Sequence, residues 1–382
     1  KSSTQGVNDM KSFIFLLSAI MFVLASNNLF CSYDSTALPL NEKVGQMLIM
    51  HFNGEEINDD ARRLIDEVHL GGIIYFTWAN VLENKEKVRL LSEDLRRYAK
   101  EQGLPPLVIC ADQEGGRVAR LRGEFRRFPS NKEVGDTGDL EYGEEVAYSL
   151  AKEMHSVGFT MNFAPVVDVN NNPLNPVIND RAFGDDPDIV TAFGERSIAG
   201  HHKAGMAVTL KHFPGHGDVS VDSHRAIPIV VKPKEELDAM ELFPFKSLIN
   251  DTDAIMSAHI LMPALDKDNC ATLSRKILRG LLREEMGFEG VVVSDSLVMQ
   301  SVIDECDGDI AEVSIQAIAA GCDMLCLGGR VSIQGEDRAN ELTVDDVIAI
   351  QSKIIAAVEE GRISENEIDA SLKRIQALKE RY

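Results

Sequence analysis

Short apolar, β-branched runs alternate with amphipathic stretches along most of the chain. The runs cover residues 46–52, 72–76, 107–111, 160–168, 208–212, 254–259, 290–295 and 324–327. Most are continuously apolar, the pattern of parallel strands covered on both faces and not of half-exposed antiparallel ones. Between them the period changes. Val88, Leu91, Leu95 and Tyr98 fall at spacings of three and four and predict a helix over 84–102. Helices are also predicted over 59–69, behind an Asn58 cap, and over 140–158, 234–250 and 274–287, the last interrupted by Gly280. Residues 343–382 read as two helices broken around Gly361. Strands separated by helices make βαβ units and a parallel sheet. Eight such units in about 350 residues is the count of a single-domain α/β protein, a (β/α)8 TIM barrel. A doubly wound open sheet is the alternative.

Residues 1–33 stand apart from this pattern. After Met10 and Lys11, residues 13–25 (FIFLLSAIMFVLA) are nearly all apolar. That suits the core of a signal peptide and falls short of the roughly 20 residues a spanning helix needs. Residues 1–33 are therefore read as a signal peptide or N-terminal extension, and 34–382 as the barrel. The expected location is exported, periplasmic or extracellular, with Cys31 a candidate for lipid attachment. A cytoplasmic protein or an uncleaved anchor is the alternative.

Composition narrows the classes. With 44% apolar and 26% charged residues the chain can bury a large core and is neither disordered nor fibrous. A net charge of −22 argues against nucleic acid and anionic membranes, which select a basic face. Six cysteines are too few for a disulfide scaffold. Cys322 and Cys326 have CxxxC spacing without a second pair, so buried thiols are expected there and not a metal.

In a (β/α)8 barrel, chemistry sits at the C-terminal ends of the strands. The third to seventh predicted strands all end in ionisable groups. Asp112 and Glu114 follow the third, Asp168 ends the fourth, Lys211 and His212 the fifth, His259 the sixth and Asp295 the seventh. The densest stretch is 211–224, KHFPGHGDVSVDSH. Two readings of it compete. His212, His216, Asp222 and His224 could bind zinc, but Pro214, Gly215 and Gly217 forbid the helix that His-x3-His ligation uses. Alternatively, Lys211 and His212 are hydrogen-bond donors at the strand end, and a glycine-rich turn carries Asp222-x-His224. A carboxylate two residues from a histidine can fix its tautomer and raise its basicity, giving a tuned proton donor and acceptor. Trp78 is a candidate for stacking on a sugar or for packing, and His201-His202, inside a helical stretch, is expected at the surface.

The 211–224 stretch resembles the signature KH(F/I)PGxGx4D(S/T)H of glycoside hydrolase family 3 β-N-acetylglucosaminidases at every fixed position. Residues 111–120 (ADQEGGRVAR), 179–185 (NDRAFGD) and 293–299 (VSDSLVM) resemble three further motifs of that family, in its order. The resemblance covers about residues 40–382 and is to the single-domain, NagZ-type members. It implies a retaining exo-β-N-acetylhexosaminidase acting on terminal β-N-acetylglucosamine of peptidoglycan fragments or related saccharides. Asp295 matches the nucleophile, His224 the general acid/base and Asp222 its partner. Asp112, Arg120, Arg181, Lys211 and His212 match the sugar-binding residues. No cofactor, no metal and no stable protein partner is implied. A histidine in place of the usual second carboxylate would also tolerate an anionic acceptor such as phosphate. The alternatives are a β-glucosidase or β-xylosidase of the same family, against which the Asp222-x-His224 pair argues, and a metal-dependent barrel hydrolase.

Overall fold

The computed structural model describes residues 34–223, 225–330 and 341–382. The apolar segment 13–25, Cys31 and His224 lie outside them. Within the unit Ser35–Tyr382, the strands are β1 (Leu48–Met50), β2 (Gly72–Ile74), β3 (Val108–Ala111), β4 (Met161–Asn162), β5 (Ala207–Phe213), β6 (Ala254–Ser257), β7 (Val291–Ser294) and β8 (Leu325–Cys326). Each pairs in parallel with its neighbour in sequence, and β8 returns to β1 through Leu48 and Leu325. The last seam is closed by a bridge between Val293 and Met324, where Ser294 N donates to Met324 O at 2.9 Å. This closure makes a (β/α)8 barrel and disposes of the open sheet. Every strand residue is buried, which is why the runs read as continuously apolar.

The ladder of β4 is shorter than the 160–168 run predicts. Pro165 has no N–H to donate. The chain re-engages at Val166, which bridges to Lys211 of β5, and so delivers Asp168 to the mouth of the barrel.

The outer helices follow their start and stop signals. Asn58 accepts from Ala61 N to open Asp59–Asp66, and Asn84 accepts from Lys87 N to open Lys85–Glu101. The latter buries Val88, Leu91 and Leu95. Leu140–Ser156 is capped by Asp139. Val344–Glu359 and Glu365–Arg381 each begin with a capping box and are separated at Gly361. Three segments depart from expectation. The 234–250 helix is two pieces, Lys234–Ala239 and Phe243–Leu248, because Pro244 would clash with the carbonyl one turn back. Lys276–Glu285 is wound as a π-helix, with Met286 N on Leu281 O. Pro187–Lys203 is a full helix whose apolar signal is diluted, because its buried face mixes Val190, Phe193 and Ile198 with Gly194, Ser197, Gly200 and His201. A Cβ at Gly200 would lie 2.7 Å from Glu144 O, so this glycine lets the two helices touch. No helix among the described residues is long and apolar enough to cross a membrane.

His201 corrects the surface expectation. Adjacent helical positions are about 100° apart, so two neighbours cannot share one face. His202 reaches Asp253 at 2.8 Å on the outer side. His201 points inward, 2% exposed, bonding Ser197 O at 2.8 Å and Asn162 Nδ2 at 3.0 Å. Asn162 in turn holds both Gln113 N and Gln113 O, so this histidine braces β4 against the segment after β3.

Burial lowers the pKa of the His201 ring to about 4, against roughly 6.5 in an unfolded chain. Between those values the unfolded state binds the extra proton, so stability is present above the window and is lost as pH falls through it. Urea unfolding between pH 7 and 4 should show a loss of up to about 1.4 kcal/mol per pH unit from this ring. His201→Gln should flatten the profile by that amount; an unchanged slope would exclude His201 as its source.

Candidate active site

The strand ends converge on a cavity of about 530 Å³. Asp112, Arg120, Arg181, Lys211, His212, Asp222 and Asp295 all line it. Phe76, Trp78, Phe163 and Met256 supply apolar surface between them. The eighth predicted residue, His224, lies outside the described residues. Asp295 follows β7 directly; its Oδ1 accepts from Ser296 N at 2.7 Å, and its own N–H is fixed on Ser257 O.

Across the barrel, β3, β5 and the loop after β4 build a charged web. Lys211 Nζ donates to Asp112 Oδ1 at 2.9 Å and pairs with Glu114 Oε1 at 2.6 Å. Arg181 grips Glu114 with two bonds of 2.8 Å, from Nε and Nη2. Arg120 Nη2 reaches Asp112 Oδ2 at 3.0 Å. Burial would push the Asp112 carboxyl up, but the Lys211, Arg120 and Arg181 charges outweigh it and hold it below the usual range. Glu114 follows the same balance and is lowered to about 2, chiefly by Arg181 and Lys211. Lys211 would lose its proton through burial alone; Asp112 and Glu114 keep it charged. The web is thus ionised throughout and cationic by one charge.

Asp168 is a second hub. It is fully buried and accepts from His212 N at 3.0 Å, His216 N at 2.7 Å and His212 Nδ1 at 2.7 Å. Burial raises its carboxyl, yet the His212 contacts outweigh that and hold it low. Because an ionised carboxylate only accepts, Nδ1 of His212 carries a proton. In the neutral ring Nε2 is then a lone pair, and Arg181 Nη2 donates to it at 3.2 Å. Both ring nitrogens of His212 are thus engaged, Nδ1 by Asp168 and Nε2 by Arg181. Asp168 was legible as a strand-end carboxylate but not as a site residue. Glu114 was likewise visible beside Asp112, with nothing in the sequence to say that it faces inward.

The turn after β5 lies directly on the 169–170 backbone. A Cβ at Gly217 would sit 1.6 Å from Val169 O, so only glycine fits. Asn175 Nδ2 donates to both His216 O and Gly217 O. His216 Nε2 meets Ser223 Oγ at 2.8 Å. Among the described residues no three histidine, cysteine or acidic side chains converge as a metal set. His212 and His216, the two described histidines of the zinc reading, have the partners just given. Cys322 and Cys326 are buried, and burial pushes both thiols up, Cys322 to about 12. Trp78 stacks on Phe76 at 4.9 Å with the Arg330 guanidinium 4.3 Å from its ring, so it both packs and faces the cavity.

Residues 39–378 match the family described as Glycosyl hydrolase family 3 N terminal domain. The chain is 35% identical over 339 residues to Beta-hexosaminidase A of Pseudoalteromonas piscicida, covering 84% of this chain and 55% of that protein. It is 37% identical over 278 residues to a Beta-hexosaminidase of Pseudomonas aeruginosa, covering 72% of this chain and 80% of that one. The chain therefore spans about half the length of the first relative and four fifths of the second. Among solved structures, a glycoside hydrolase family 3 beta-N-acetylglucosaminidase from Paenibacillus sp. str. FPU-7 superimposes with a TM-score of 0.83 at 42% identity, over 90% of this chain and 63% of that one.

Glu114→Gln should be costly, because it leaves Lys211 and Arg181 buried with one carboxylate fewer. We expect a loss of about 3–5 kcal/mol in urea unfolding. Arg97→Ala, which removes an exposed pair with Asp94, should cost less than about 1 kcal/mol. Equal costs would mean that the web does not hold the site together.

Proposed function

Because this chain belongs to glycosyl hydrolase family 3, we propose that it is a retaining exo-β-N-acetylhexosaminidase that removes terminal β-N-acetylglucosamine from peptidoglycan fragments or related saccharides. The observation that carries the reading is the facing of two unlike walls. Asp112 follows β3 and Asp295 follows β7, four strands apart in an eight-stranded barrel and therefore on opposite sides of one cavity. One wall is a fixed array for hydroxyl groups, the other a single carboxylate.

A sugar ring held between them meets complementary chemistry. The outward lone pairs of Asp112 accept from hydroxyls. Lys211 has three N–H groups and spends two on Asp112 and Glu114, leaving one for the sugar. Arg120 Nε is buried without a partner among the described residues, a donor that a hydroxyl would satisfy. Polar groups left unpaired by a wrong substrate discriminate strongly against it. The Asp295 carboxylate then attacks the anomeric carbon through an oxocarbenium-like transition state and forms a glycosyl ester, while His224 protonates the leaving oxygen. Asp222 orients and charges that histidine. In the second half-reaction His224 takes a proton from water, which opens the ester with net retention.

Asp295→Asn should fold as the parent does and lose nearly all turnover of an aryl N-acetyl-β-glucosaminide, since an amide cannot form the ester. The unaltered enzyme should prefer that substrate to the aryl β-glucoside, with or without chelator, and a fluorinated glycoside should label a peptide containing Asp295. Inverted product, or a label elsewhere, would sink the assignment.

Loss of the acid should be read through the leaving group, because a good one departs unprotonated. His224→Ala should slow cleavage of a sugar aglycone strongly and of a dinitrophenyl aglycone much less, with Asp222→Ala milder in the same sense. Equal slowing of both would make His224 a binding residue.

A further inference from the structure

Ser223 sits between Asp222 and His224 and faces the cavity. It is 3% exposed, although Val221, two residues before it, is 44% exposed. Within this otherwise accessible segment, one side chain is drawn inward and meets His216 Nε2 at 2.8 Å.

His216 is held unusually firmly. Its N–H is on Asp168, its carbonyl on Asn175, and the carbonyl of the following Gly217 on the same Asn175. The ring is 2% exposed and edge-on to His212, with centroids 5.6 Å apart. Its Nδ1 is buried without a hydrogen-bond partner among the described residues. Burying a polar ring with half its capacity unmet is unfavourable, and such groups in native structures call for an explanation. Burial, then the nearby His212, lowers the pKa of the ring to about 4, so it is neutral in ordinary buffers. The less costly tautomer leaves Nδ1 as a bare lone pair and makes Nε2–H the donor to Ser223 Oγ. The ring's one satisfied bond is therefore spent on the segment that carries Asp222 and His224.

We propose that His216 and Ser223 form a latch that sets the acid/base segment over the sugar site, both acting as positioning residues. The inference rests on the acid/base reading of His224 above. Asp168 is the common anchor, holding the cavity-lining His212 and the backbone of His216, so the acid-bearing segment is registered to the sugar-binding wall through one carboxylate. A misplaced proton donor is costly because general acid catalysis requires hydrogen-bond reach.

The test compares sugar and dinitrophenyl aglycones of β-N-acetylglucosamine in the full chain. Ser223→Ala and His216→Leu should each slow the sugar aglycone by about tenfold or more and the dinitrophenyl one by less than about threefold. His216→Gln, which keeps a donor near Nε2, should recover most of the difference. The double variant should be no worse than the worse single one. If His216→Leu does not fold, Ser223→Ala, which deletes one oxygen, decides alone. Equal effects on both aglycones, or none, would overturn the latch. If His224→Ala itself lacks leaving-group dependence, the acid/base reading fails and the latch falls with it; if His224→Ala shows it and Ser223→Ala does not, only the latch is wrong.

Discussion

Lys211 keeps an ammonium charge with 1% of its side chain exposed, and the rest of the mouth is arranged around that fact. Removing such a group from water costs several kcal/mol unless its partners are close and themselves satisfied. Asp112 and Glu114 supply the partners, and each needs a second cation, which Arg120 and Arg181 provide. The requirement propagates from β5 to β3 and to the loop after β4. Three separate chain segments are thereby locked at the depth where a sugar would lie. A pre-set array of this kind has little reorganisation left to do when a ligand arrives.

The clustering of Lys211, Arg120 and Arg181 in a chain of net charge −22 is explained on the same terms. The overall charge describes the outer surface, where acidic and basic side chains are screened by solvent. Inside the cavity, charge is set by which groups can be buried together. A second carboxylate close to Asp295 would be unfavourable there, whereas on the wall across the barrel Lys211, Arg120 and Arg181 offset Asp112, Glu114 and Asp168.

The fold was legible because parallel strands buried on both faces leave continuous apolar runs, and because Asn58, Asn84 and Gly361 mark helix ends by local chemistry. Pro244 was equally visible in the sequence, yet the amphipathic period on either side of it reads as one helix. Pro187–Lys203 was seen only as a helical stretch around His201 and His202, because its buried face mixes Val190, Phe193 and Ile198 with glycines, a serine and a histidine. At the site, residue types and spacings pointed to Asp112, Lys211, His212 and Asp295. The same strand-end pattern included Glu114 and Asp168, but it could not say that they are held in place, since that is decided by partners distant in sequence, Arg181 for one and His216 for the other. His201 shows the same limit, because only the packing of the helix separates it from His202.

Asp168 carries a consequence for how such a site can change over generations. One carboxylate serves the backbone and ring of His212 and the backbone of His216, so neither histidine's surroundings can be altered independently of the other's. A lineage drifting at position 168 would disturb the His212 ring and the turn at His216 in one step, with no intermediate that keeps half the arrangement. Positions 168, 212 and 216 should therefore be inherited as a block. New specificities would be expected to arise where the cavity wall lies outside that block, among side chains such as Trp78 and Arg330.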